Sequence, residues 1–61
     1  MKARTIETEW RAGYLDGNNP AVQYTPDFND PKTMLAKARQ DHAAPLVLAY
    51  WEGAVEGWQD R

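Results

Sequence analysis

The single histidine, His42, stands in a chain without cysteine or serine. A His–His metal pair, a thiolate metal site and a Ser or Cys nucleophile with an imidazole base are therefore all closed to it. His42 shares a helical apolar pattern with Met34, Leu35 and Ala38, so a packed structural imidazole is expected there. Asp27-Phe28-Asn29-Asp30 begins like a calcium loop. No glycine follows it, and no glutamate takes the twelfth place that such a loop requires. Glu52 and Glu56 lie one helical turn apart as a carboxylate pair. They fall on a polar strip, where water keeps both ionised and unsuited to general acid work. The four glycines follow no strand and have no nearby lysine, so they form no phosphate loop. The expectation is a protein that is not an enzyme and holds no metal or cofactor.

Recognition is the chemistry that remains, and the aromatic residues carry it. Three tryptophans, three tyrosines and one phenylalanine occur in 61 residues. Each buries roughly 150–250 Å², and Trp and Tyr dominate interface hot spots. A chain this short allows one domain, residues 1–61, which buries only about 60% of its unfolded surface. The apolar run from Ala43 to Trp51 is broken by Pro45 and falls far short of the roughly 20 residues of a membrane span. Met1 to Arg4 is basic, but Glu7 and Glu9 follow in place of a signal-peptide apolar region. A soluble protein of the bacterial or host cytoplasm is expected, with no membrane partner.

Three helices must position these side chains. From Thr5 to Asp16, Ile6, Trp10, Gly13, Tyr14 and Gly17 share one arc, with Thr5 as N-cap and Glu7 and Glu9 at the positive end of the helix dipole. Gly17-Asn18-Asn19-Pro20 reads as the stop, with Gly17 as a cap. Residues 18–30 hold two prolines and no glycine, an ordered extended connection with Val22, Tyr24 and Phe28 turned inward. Asp30-Pro31 starts a middle helix running to about Ala44, which Pro45 ends or kinks. The last helix, Leu46 to Asp60, is apolar over more than half its circumference, so it is either central to the core or has a second partner. The predicted fold class is all-α: a small helical hairpin or three-helix domain with an ordered Pro-rich loop.

The glycines are the most specific feature. Gly13 and Gly17 belong to the first helix, Gly53 and Gly57 to the last. Mid-helix glycine costs roughly 1 kcal/mol against alanine, so close backbone approach is the expected reason for it. The octets 10–17 and 50–57 read alike, as aromatic-x-x-Gly-x-x-acid-Gly. Trp10, Gly13, Tyr14, Gly17, Tyr50, Gly53 and Gly57 are thus the predicted helix-pair packing residues, in an antiparallel pair with aromatic rings over the glycine notches. Trp51, Val55 and Trp58 are the candidate partner surface, for a larger protein or ribonucleoprotein target or for a homodimer. Small, acidic, cysteine-free inhibitors of this kind are typical of phage and mobile elements.

On these octets the chain resembles the ribosome modulation factor family. Trp10, Gly13, Tyr14 and Gly17 match that family's first helix, and Tyr50, Gly53, Glu56 and Gly57 its second. The resemblance implies binding to rRNA and protein at the small ribosomal subunit, silencing translation. This chain is acidic where the family is basic, lacks its Cys-Pro-Tyr-like connection and adds a helical segment near residues 31–44. RNA contact would fall to Lys2, Arg4, Lys32, Lys37 and Arg39, because phosphate binding relies on Lys and Arg. Residues 31–45 carry a local +2, in a chain whose formal charge is −2. A third class is an acidic decoy of nucleic acid, for which the strip Glu52, Glu56 and Asp60 supplies aligned carboxylates.

Overall fold

A computed structural model describes residues 3–24 and 30–61, and it contains three helices. Helix α1 spans Ile6–Asn18, α2 spans Pro31–Gln40 and α3 spans Pro45–Gln59. Thr5 caps α1 as the sequence predicts: its hydroxyl accepts from the Thr8 amide, and the Thr8 hydroxyl accepts from the Thr5 amide in return. Asp30 caps α2 through Oδ1, which accepts from the Thr33 amide at 2.7 Å, and Pro31 follows at the first helical position. Pro45 holds the same position in α3. Proline here opens the last helix and does not kink the middle one.

Helix α3 is central. Helices α1 and α2 both pack on it and scarcely on each other. That explains its broad apolar surface: Gly53 and Gly57 face α1, while the apolar stripe beside them seats α2. Ala49 and Ala54 are buried between, Ala54 completely. Pro31, Leu35 and Ala38 are the buried residues of α2, Pro31 almost completely.

Four sequence expectations are corrected. Helices α1 and α3 run parallel, not antiparallel: Gly13 meets Tyr50, Gly17 meets Ala54, Gly53 meets Trp10 and Gly57 meets Tyr14. The chain achieves this because residues 19–44 are long enough, with α2 among them, to return to the starting end. Gly17 is no cap. It lies buried inside α1, no glycine has positive φ, and Asn19 closes the helix with its amide on the Asp16 carbonyl. Backbone, not aromatic rings, lies over the glycine notches.

His42, finally, lies off the apolar face of α2. It sits two residues past the helix end, exposed, at φ 53°. The His42 amide donates to Arg39 O at 3.1 Å and the Ala43 amide to Ala38 O at 2.9 Å, the paired bonds of a Schellman motif. Glycine normally fills that left-handed position. The helix thus stops at Gln40 by capping, before Pro45 can act. Val22 and Tyr24 are half-buried as predicted, whereas Phe28 and the Asp27–Asn29 stretch fall outside the described residues.

Candidate docking surface

The glycine lock sets the geometry of everything on the surface. A Cβ built on Gly13 would overlap the Tyr50 carbonyl oxygen and stand 2.8 Å from its carbon and 3.0 Å from Ala54 N. A Cβ on Gly53 would meet Trp10 and Tyr14 in the same way, at 2.8 Å and 3.0 Å. The two octets are therefore related by a local two-fold axis running along the helix pair. At this range the glycine Cα–H groups point at facing carbonyls, the geometry of weak Cα–H···O contacts.

Because backbones fill the interface, the aromatic side chains are pushed to its flanks. On one flank Trp10 stacks on Tyr14, with ring centroids 5.4 Å apart. On the other, Tyr50 meets Trp51 edge-on at 5.0 Å, and its hydroxyl donates to Asp16. Tyr14 donates across the pair to Asp60 at 2.9 Å. Its hydrogen bond to that carboxylate pushes the Tyr14 phenol pKa up; burial pushes up Tyr50, reinforced by Asp16, and also Tyr24. Asn18 Nδ2 donates to Gly57 O at 3.2 Å, which again joins the C-terminal ends of α1 and α3.

Arg61 closes that end. Its Nε donates to Gly17 O at 2.7 Å, and one terminal nitrogen donates to Asn19 O and Val22 O at 2.7 and 2.6 Å. The guanidinium lies 5.6 Å from the Tyr24 ring, which meets Trp58 edge-on at 6.5 Å. The spacing of the sequence places Asp16 in its octet and Asp60 in an acidic strip, but it marks neither their tyrosine partners nor Arg61. Their partners lie 34 or more positions away, beyond the reach of any helical periodicity.

The predicted partner stripe is already partly used. Trp51, Val55 and Trp58 are all half-buried. Trp51 lines a cleft with Met34, Ala38 and Val47 between α2 and α3. Val55 lies in a second cleft of about 450 Å³, between Trp10 on α1 and Leu35 and Arg39 on α2, with Glu52 and Glu56 beside it. Trp58 seats Tyr24. Among the described residues, the most exposed large apolar side chains are ones the sequence did not single out as partner surface: Leu15 and Ile6 at 61% and 60% exposed, Val47 at 43%, with Trp10 at 38%. Three of the four lie on α1 and only Val47 on α3, where the expected stripe is covered from two sides.

The predicted cations separate as well. Arg4 pairs with Glu9, which raises the arginine pKa and lowers that of the glutamate, chiefly through their hydrogen bond. Arg39 reaches Glu52 at 3.7 Å. Lys32 and Lys37 are exposed on the outer side of α2, and Lys2 lies outside the described residues. Among the described residues no group of three or more metal-ligating side chains gathers, and no helix is long and apolar enough to cross a membrane. No family model, curated protein or solved structure matches the chain.

Proposed function

We propose that this is a small non-catalytic binding protein that docks on a larger macromolecule and modulates or inhibits it. One observation carries the reading: a helix pair locked backbone to backbone leaves its large apolar side chains outside the lock, on open flanks and clefts. Ile6, Trp10, Leu15 and Val47 remain exposed in a chain with few apolar residues to spare. Rigid presentation lowers the ordering cost of association, so a small surface of this kind binds efficiently. The size and composition fit the inhibitors of phage and mobile elements. A tagged pull-down from host lysate, with and without nuclease, tests it: a stoichiometric, nuclease-resistant partner supports the reading, and none at any salt concentration ends it.

A second reading rests on the charges of α2. Lys32, Lys37 and Arg39 are its only charged residues, all cationic and exposed, and the octets resemble those of ribosome modulation factors. Three phosphate contacts would give a salt slope of about −2 to −3, against the 6–10 contacts of many nucleic-acid binders. Ribosome cosedimentation at 50 and 200 mM salt, values chosen to span that range, tests it. Binding that falls about tenfold or more between them supports the ribosomal reading; no binding at the lower salt removes it.

A further inference from the structure

The cleft between α1 and α2 has two kinds of wall at matching spacing. On α1, Trp10 and Tyr14 stand one turn apart with their rings stacked. Along α3 and its C-cap, Glu52, Glu56 and Asp60 stand four residues apart beside them: Glu52 and Glu56 line the cleft with Trp10, and Asp60 accepts from Tyr14. The negative charge of Glu56 also reaches Tyr14, adding to the rise of its phenol pKa. The parallel register of the glycine lock causes this alignment, since it sets residue 10 of α1 beside Gly53 and residue 14 beside Gly57. An antiparallel pair would oppose the ladders end to end.

We propose, building on the docking reading above, that this cleft receives an arginine-bearing basic segment of the partner protein. Charge complementarity names the occupant. Carboxylates attract a cation, an aromatic face adds a cation–π contact, and a guanidinium satisfies both because it is planar and bonds carboxylates in a fork. The molecule already shows the preference within itself. Arg39 crosses from α2 to Glu52 at 3.7 Å, an open contact in which the arginine and glutamate side chains are 62% and 49% exposed. That leaves Glu56 and the Trp10 ring for an incoming guanidinium, with Val55 and Leu35 as apolar floor for its stem. The cleft rejects an acidic segment for the same reason.

Trp10 can be changed without opening the lock, because its carbonyl and not its ring meets Gly53. The test follows the three indole N–H resonances by NMR while tetra-arginine, tetra-lysine or tetra-glutamate peptide is added to the intact chain. Tetra-arginine is expected to move the Trp10 signal most, to bind more tightly than tetra-lysine, and to weaken with salt. In Glu56→Gln and in Trp10→Leu its affinity, read from the Tyr14 and Val55 resonances, falls about tenfold, about 1.4 kcal/mol. Unchanged helical circular dichroism in both variants shows that they fold. The proposal is overturned if tetra-arginine does not bind, if it moves Trp51 or Trp58 in place of Trp10, or if Glu56→Gln binds it as well as the wild type does. A captured partner that Glu56→Gln and Trp10→Leu retain undiminished would also overturn the cleft, while leaving the docking reading intact.

Discussion

At Gly13 and Gly53 two effects of a methyl group oppose each other, and their sizes decide the outcome. Alanine gains about 1 kcal/mol over glycine in a helix interior. Its Cβ, however, would occupy the space of a backbone carbonyl on the facing helix. A side chain could swing aside, but a carbonyl held in its own helix cannot, so the two backbones must separate along their length. Overpacking of even yielding cores costs about 1–3 kcal/mol, and a domain of this size has only about 3–9 kcal/mol in total. Gly13→Ala and Gly53→Ala should each lower stability in urea by about 2 kcal/mol or more. The two losses should be similar, since the local two-fold axis gives both glycines the same surroundings; a neutral or stabilised variant would contradict the lock. The tyrosines report the same interface by titration. Tyr14, Tyr24 and Tyr50 all have raised pKa values in the folded chain, so folding favours the protonated phenol. That contribution is complete below the unfolded tyrosine value of about 10 and is lost as pH rises past it. Phenolate absorbance should therefore rise together with loss of helical circular dichroism above that pH, and Tyr50→Phe should lessen the alkaline loss. Phenols that ionise like free tyrosine while the helices persist would refute this.

Among the elements, α2 shows how a capping motif overrides a periodic pattern. Met34, Leu35, Ala38 and His42 match a helical face on paper, and the match holds as far as Ala38. His42 then takes the left-handed position of the Schellman motif, where a residue with a Cβ costs roughly 1–2 kcal/mol relative to glycine. His42→Gly should raise stability by about 1 kcal/mol in denaturant unfolding, whereas His42→Ala, which keeps the Cβ, should change it little. If both variants behave alike, the gain does not come from the left-handed backbone. The contrast also explains what was legible in the sequence. The starts of α1 and α2 were readable because Thr5, Asp30 and Pro31 act on backbone groups within three or four residues, whereas Pro45 reads as the end of the middle helix and in fact opens the last. The end of α2 was not readable, because a histidine occupies a place where the usual signal is glycine. The end of α1 was misplaced for the opposite reason: Gly17 carries the usual signal of a stop, yet serves a contact with Ala54, 37 positions away.

For the whole molecule, direction is the property that glycine spacing leaves undetermined. Notches four residues apart lie on the same helix face whichever way the partner helix runs. Octets that read alike favour the parallel arrangement on one further ground. A two-fold axis along the pair superposes one octet on the other only when both helices point the same way, so each notch then receives the equivalent backbone of its partner. The connection makes this affordable: the chain leaves α1 at Asn18 and has residues 19–44 in which to return before Pro45. Arg4, Leu46 and Tyr50 consequently line one cleft at the N-terminal ends of both helices, while Arg61 reaches Gly17 at the other. The absence of cysteine from the sequence allows a test without background. The pair Arg4→Cys with Leu46→Cys should join readily under mild oxidation or a short cross-linker, and the pair Arg4→Cys with Gln59→Cys should remain reduced. The reverse result would require α1 and α3 to run antiparallel. It would separate the aromatic ladder of α1 from the carboxylates of α3, and with them the cleft proposed to receive arginine.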